Sequence, residues 1–296
     1  MRTTTMPEAL SQTIEKAVVL VEALPYLQRF RGSTVVVKYG GHAMIEDQIR
    51  RSVARDFILM ENVGIHPVIV HGGGPEITNL MRRLGKEPQF HEGHRFTDAE
   101  TLELTEMVLA GKLNGEIVAR LNAAGGRAVG LSGKDGGLIL ARPRTDPQGR
   151  DLGFVGEVVQ IRAGVLDLLI RNGFIPVIAP IGADAAGQGL NINADAVAAE
   201  VAVALKARKL VMMTDVRGIL RDPQDESTLL TTIDAGQAPQ LIAEGVISGG
   251  MIPKVKACLR ALEGGAGKAH ILDGRLPHGL LLELFTDEGI GTEIIR

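Results

Sequence analysis

The 296-residue chain has no tryptophan, two tyrosines and one cysteine, Cys258. A lone cysteine excludes an intramolecular disulfide framework and a Cys-rich zinc site, and suits a reducing compartment. So few aromatic side chains leave little on which single-stranded bases could stack. An excess of one charge sign is also missing: 32 Lys and Arg face 35 Asp and Glu, a formal net of −3. A binder of the nucleic-acid backbone would carry a basic excess. No uncharged apolar run reaches the roughly 18 residues of a membrane span, and no basic segment followed by an apolar stretch marks a leader. The expectation is a cytoplasmic globular protein with neither nucleic acid nor membrane as partner.

Common chemistry-bearing patterns are absent too. There is no G-x-x-x-x-G-K-[ST] phosphate loop and no G-x-G-x-x-G. Ser132, in Gly130-Leu-Ser-Gly-Lys134, lacks the final glycine of a nucleophile elbow. His91 and His94 are an isolated pair without H-E-x-x-H, so no metal ligand is assigned.

Glycine, by contrast, is abundant: 37 residues without a G-X-Y period, against an average usage of about 7%. That points to many tight turns and close backbone approaches. The length is about twice that of a usual domain, so two domains or one large α/β unit is expected. From residue 33 onward, short apolar runs alternate with helical patterns. Strands are expected at 34–38, 67–70, 128–131, 138–141, 154–161, 175–179, 210–214 and 270–272, and helices near 46–62, 75–85, 98–122, 163–172, 194–206 and 253–263. Thr97-Asp-Ala-Glu100 reads as a capping box with Thr97 as N-cap. Strands rich in Val and Ile, without polar alternation, indicate a mostly parallel sheet buried on both faces between helices. Residues 142–151 read as a loop, and a domain boundary is placed near residue 205. Ahead of the sheet, Leu10, Ile14, Ala17, Val21 and Leu24 recur at helical spacing until Pro25 interrupts them. This helix either packs on its own domain or docks as an arm on another subunit.

Five local patterns carry candidate chemistry. Val35-Val-Val-Lys38-Tyr-Gly40-Gly41 ends a strand in a cation and two glycines: a surface lysine and a turn, or a cation at the sheet edge where open α/β folds bind ligands. His71-Gly-Gly73-Gly74-Pro75 runs a strand into a helix start with Pro75 at N1, where free N–H groups attract anions. In Asn191-Ile-Asn193-Ala-Asp195, Asn193 or a neighbour caps the next helix and Asp195 falls in its first turn. These residues also place three polar groups at a spacing of two. Ser248-Gly-Gly-Met-Ile-Pro-Lys254-Val-Lys256 puts two lysines at a helix start, where the macrodipole disfavours cations by about 0.3–1 kcal/mol. A held multivalent anion would resolve that conflict. Gly93-His-Arg95-Phe-Thr-Asp98 offers an arginine, either for an internal salt bridge or for a carboxylate ligand. Together they describe a site for phosphate plus carboxylate.

These motifs, in this order, with Asp151-Leu-Gly-Phe-Val-Gly-Glu157 and Thr214-Asp-Val-Arg-Gly218, resemble the amino acid kinase family across almost the whole chain. The likeness is strongest to members that phosphorylate the γ-carboxylate of N-acetyl-L-glutamate on the route to arginine. It implies a three-layer α/β/α sandwich around a mainly parallel open sheet. It also implies an acyl-amino-acid lobe over 29–205, a nucleotide lobe over 206–296, and ATP with Mg²⁺ as co-substrate without a tightly bound prosthetic group. Carried over by motif, Lys38 and Lys254 would neutralise the moving phosphoryl group and Asp195 would hold both lysines. Gly40, Gly41, Gly73 and Gly74 would line the phosphoryl site with N–H groups, and Arg95, Asn191 and Asn193 would hold the substrate. Thr214, Asp215, Val216, Gly218, Ile219, Gly249 and Met251 would contact ATP/ADP. The segment 1–28 and the tail Glu283-Leu-Phe-Thr-Asp-Glu-Gly289-Ile-Gly291 resemble arginine-inhibited, hexameric members. In them Tyr26, Lys209, His270, Glu283, Gly289 and Gly291 would bind L-arginine, and a dimer or hexamer would form. A same-fold kinase for another carboxylate or for carbamate, and a non-catalytic arginine-sensing domain, are the alternatives.

Overall fold

In the computed structural model, which describes residue 14 and residues 17–44, 46–91, 93–146, 148–286 and 289–296, the Val-Ile runs form the middle of the molecule. In chain order the strands are β1 (Thr34–Tyr39), β2 (His66–His71), β3 (Phe90–His91), β4 (His94–Arg95), β5 (Ala128–Ser132), β6 (Ile139–Pro143) and β7 (Val155–Ile161). They continue as β8 (Ile175–Ala179), β9 (Ile181–Ala183), β10 (Gly189–Ile192), β11 (Lys209–Thr214), β12 (Thr232–Asp234), β13 (Lys268–Asp273) and β14 (Thr292–Ile295). Eight form one sheet in the order β12-β14-β13-β11-β1-β2-β8-β5. Every neighbouring pair is parallel except β13–β14.

Period-two geometry splits each strand between two cores. Val36, Val68 and Met212 pack with helices Ala194–Ala204 and Met251–Glu263 on one face. Val35, Val37, Ile69 and Val211 pack with helices Asp47–Asn62, Asn114–Ala123 and Gly279–Phe285 on the other. The result is the expected three-layer α/β/α sandwich. The chain leaves β1 toward β2 on one side, and leaves β11 toward β13 on the other. The carboxyl ends of adjacent β1 and β11 therefore form the switch-point crevice where such sheets bind ligands.

Several details depart from the sequence reading. The strands expected at 138–141 and 154–161 do not join the main sheet; β6 and β7 close with β9 and β10 into a small barrel. Thr97 is not the N-cap of helix Ala99–Glu106. Asp98 is, its carboxylate accepting from Thr101 N at 2.8 Å, while Thr97 Oγ1 donates to Arg95 O. The single helix expected over 98–122 contains a seven-residue π-helical stretch, Met107–Leu113. Pro25 does not stop the arm helix: residues 17–22 are helical, one turn residue follows, and Pro25 opens helix Leu24–Phe30. Leu10 and most of the arm's first half lie outside the described residues. No helix among the described residues is long and apolar enough to cross a membrane.

Candidate active site

Lys38 lies next to the last residue of β1, with Gly40 and Gly41 beyond it. A Cβ on Gly40 would stand 2.7 Å from Lys38 Nζ, so glycine lets the lysine fold back over its own loop. The second glycine loop meets the first: Gly72 N donates to Tyr39 O at 2.8 Å, and a Cβ on Gly40 would touch Gly72 Cα at 3.8 Å. Helix Gly74–Arg83 then starts with Gly73 as N-cap and Pro75 one position later than expected. A Cβ on Gly73 would press to 2.5 Å from Leu109 and Leu113 of the π-helical stretch.

Asn193 caps helix Ala194–Ala204, its Oδ1 accepting from Asp195 N and Ala196 N. That leaves Asp195 in the first turn, aimed at two lysines. Lys254 Nζ donates to Asp195 Oδ2 at 3.0 Å, and Lys38 Nζ lies 3.3 Å from Oδ1. Burial alone would raise the Asp195 carboxyl, but the two ammonium groups hold it below the ordinary aspartate value. Burial holds the Lys38 ammonium below the ordinary lysine value, against the pull of Asp195 and helped by the repulsion of Lys254. Lysines 216 positions apart thus converge on one carboxylate. Lys256 is exposed and takes no part.

The lysine–aspartate bridge separates two cavities. One, of about 300 Å³, is lined by Lys38, Asp195, Gly41, Gly73, Gly74, Asn191 and Asn193. Arg95 reaches it from the β3–β4 hairpin, 8% exposed, its Nη2 donating to Gly74 O and Thr78 Oγ1 and its Cζ 4.7 Å from the centroid of the Phe90 ring. Among the described residues no carboxylate pairs with Arg95. Burial lowers its pKa, yet a guanidinium stays charged. Asn191 Nδ2 donates to Thr97 Oγ1 at 3.2 Å, and Phe154 N to Thr97 O. The 151–157 motif therefore ties the arginine's loop to the small barrel.

The other cavity, of about 360 Å³, lies across the crevice and is lined by Lys254, Thr214, Asp215, Val216, Gly218, Ile219 and Met251. Gly249 does not line it; its neighbours Ser248 and Gly250 do. Gly218 is needed where it stands, since a Cβ would press to 2.6 Å from Thr292 Oγ1. Among the described residues no group of three or more His, Cys, Asp or Glu could hold a metal ion.

A third cavity, of about 480 Å³, gathers Tyr26, Lys209, His270, Glu283 and Gly289 beside Lys268 and Glu293. His270 Nδ1 lies 2.5 Å and Lys209 Nζ 3.9 Å from Glu283 Oε1, and Lys268 Nζ donates to Glu293 Oε1 at 2.7 Å. Burial pushes the Lys209 ammonium down to about 8 against the pull of Glu283 and Glu293. Gly291 stands apart from this cavity: a Cβ on it would overlap Ile271 O of β13. Its glycine serves strand packing.

Sequence reasoning left Gly72, Thr78, Phe90, Ser248 and Gly250 unassigned. Gly72, Ser248 and Gly250 sat inside named motifs. Phe90 and Thr78 gave no signal, because a side chain that props another leaves no spacing pattern.

Comparison with known proteins agrees with this geometry. The Amino acid kinase family matches residues 33–273. An acetylglutamate kinase of Moorella thermoacetica is 54% identical over 289 residues, 95% of this chain and 98% of that one. One from Heliobacterium modesticaldum is 56% identical over 293 residues, 96% and 99%. Among solved structures, the N-acetylglutamate synthase of Neisseria gonorrhoeae superposes with TM-scores of 0.84 and 0.81 at 29% identity, complexed with coenzyme A and either N-acetyl-glutamate or L-arginine. Those superpositions cover 95% and 94% of this chain but only 63% and 65% of the synthase. With the sandwich, the switch-point crevice and the paired lysines in place, the chain belongs to the amino acid kinase family and is an enzyme of it, a phosphotransferase.

Proposed function

We propose that the protein transfers the γ-phosphoryl group of ATP to the γ-carboxylate of N-acetyl-L-glutamate, as an acetylglutamate kinase of arginine biosynthesis. The observation that carries this reading is the Lys38–Asp195–Lys254 bridge, with one lysine facing each cavity. The cavity with Arg95 suits the acyl amino acid: the guanidinium can clamp the α-carboxylate bidentately. Asn191 and the amide NH₂ of Asn193 serve its polar groups. The cavity with Thr214–Ile219 and Met251 suits the nucleotide. The acceptor carboxylate, with an ordinary pKa of about 4.3, is already ionised at neutral pH and needs no general base. What remains is repulsion between two anions. Lys38, Lys254 and the N–H groups of Gly40, Gly41, Gly73 and Gly74 oppose it by charge and position. Mg²⁺ would enter with ATP as part of the nucleotide substrate. In this reading the lobes 29–205 and 206–296 meet at the bridge.

L-arginine would bind the third cavity as a feedback inhibitor, its guanidinium on Glu283. The arm would dock on another copy of the chain, covering Val18, Val19, Leu20 and Val21, which are 47–74% exposed. The test is to incubate the protein with Mg-ATP and each acceptor and to trap acyl phosphate as a hydroxamate with hydroxylamine. A hydroxamate that needs N-acetyl-L-glutamate is expected. None with any of N-acetylglutamate, glutamate, aspartate or carbamate would leave an arginine-sensing domain.

A further inference from the structure

The reaction as described leaves two buried polar side chains beside the phosphoryl site without a task. His71 ends β2 with no exposed surface, and Asn114 is 5% exposed. His71 Nδ1 lies 2.8 Å from Gly72 O. A carbonyl only accepts, so Nδ1 carries the ring proton and Nε2 is left as an acceptor. Asn114 Nδ2 lies 3.3 Å from Nε2, and also donates to Val177 O of β8 at 2.9 Å. One amide NH₂ thus serves two acceptors. The order of donors closes only with a neutral ring, since a proton on Nε2 would face another N–H. Burial also pushes the imidazole down to about 4.

The surroundings are shaped to this chain. A Cβ on Gly130 would overlap Asn114 Oδ1, so glycine in β5 makes room for the amide. Asn114 follows directly on the π-helical stretch, whose Leu109 and Leu113 abut Gly73. Such stretches occur frequently at functional sites.

The peptide plane turns these contacts into aim. In a trans peptide, C=O and N–H point in opposite directions. Holding Gly72 C=O on the His71 ring therefore directs Gly73 N–H away from the ring, toward the cavity that Gly73 lines. A separate backbone bond, Gly72 N–H to Tyr39 C=O, sets the direction of Gly40 N–H by the same geometry without passing through the ring.

We propose that Asn114 and His71 are positioning residues, a buried relay from Val177 O to Gly72 O that fixes the direction of the Gly73 N–H group toward the phosphoryl group in flight. This deepens the phosphotransfer reading and rests on it. His71 moves no proton in the reaction; it holds a dipole still, and preorganised N–H dipoles act most strongly on the charge of the transition state.

The experiment compares His71→Asn, which keeps a donor near the Nδ1 position, with His71→Leu, which keeps bulk and removes the donor. His71→Leu is expected to lose about 10²-fold in kcat, the order seen when one such donor is removed, with both KM values within about threefold of the parent. His71→Asn should recover most of the loss. A His71→Leu kcat within about threefold of the parent overturns the relay, as does an Asn variant no faster than a folded Leu variant. If His71→Leu does not fold, ¹⁵N correlation of the ring in the unaltered protein decides. The neutral Nδ1–H tautomer held from about pH 5 to about pH 9 supports the relay, and an Nε2–H tautomer or a ring titrating near its ordinary value overturns it. An unaltered protein that makes no hydroxamate would instead refute the phosphotransfer reading.

Discussion

Two ion clusters occupy opposite ends of the same parallel sheet, and they are built to different charge ratios. Near the carboxyl end of β1, Lys38 and Lys254 share the single carboxylate of Asp195. At the start of β11 and β13, Lys209, Lys268 and His270 face Glu283 and Glu293. The first cluster has one more cation than carboxylate, which suits a polyanion passing between two cavities. The second is close to balance, which suits a ligand carrying both signs. Burial shifts one lysine of each cluster downward, Lys38 in the first and Lys209 in the second, so burial does not distinguish them; stoichiometry does.

The largest way to break the comparison is Lys254→Ala. Loss of a transition-state cation is worth about 10³–10⁵ in rate by analogy with arginine fingers, so kcat should fall by that order while circular dichroism stays unchanged. A parent-like kcat would remove Lys254 from the chemistry. At the other cluster, Glu283→Gln keeps the shape and removes one charge. The arginine concentration giving half-inhibition should rise about 10- to 30-fold over that of the parent, because a charge-assisted bond becomes a neutral one. An unshifted response would sink the guanidinium assignment.

How much of this was legible in the sequence follows the same division. Lys38 stood out because it ended a strand at a glycine pair, and Lys254 because it broke the charge preference of a helix start, and local conflicts mark function. Asp195 broke no preference and was singled out only by its spacing of two from Asn193 and by the motif resemblance. The sheet followed from Val- and Ile-rich runs buried on both faces. The small barrel was not legible: β6 and β7 carry Arg142, Glu157 and Gln160 and are partly exposed, but strand propensity does not say which sheet a strand joins. Only long-range pairing separates them. The π-helical stretch was invisible because Met107–Leu113 keeps a helical apolar pattern. Thr97 and Asp98 are both good N-caps, and the choice fell to Asp98 once Thr97 was committed to Asn191 and Arg95.

Two glycines of the tail sharpen the second cluster. Gly291 lies against the β13 backbone, which cannot yield as a side chain can. Gly291→Ala should cost about 1–3 kcal/mol of stability, as overpacking does, and lower the melting temperature. Gly289 borders the third cavity, the one proposed to take L-arginine, with a Cβ reaching only to 4.0 Å from Glu283 Oε2. Gly289→Ala should leave melting nearly unchanged and weaken the response to arginine. The reverse pattern would exchange the roles of the two residues.

The smallest effect tests what a buried carboxylate does without a lysine. Asp56 has no exposed surface, and its partner is His278, whose Nδ1 lies 2.6 Å from Oδ1. Burial outweighs that bond and pushes the Asp56 carboxyl up to about 6, the opposite direction from Asp195. A folded pKa above the unfolded one means that the folded state binds the proton more tightly. Stability is therefore highest below about pH 4 and falls as pH rises through about 6. The half-exposed His278 ring admits solvent, so the swing is about 1–2 kcal/mol, less than the full two-unit conversion. Asp56→Asn removes this titration. The melting-temperature advantage of the parent over Asp56→Asn should be greatest near pH 4 and shrink toward pH 7. An advantage that grows with pH would mean that His278 does for Asp56 what two lysines do for Asp195, and charge ratio would no longer separate the active site from the rest of the buried carboxylates.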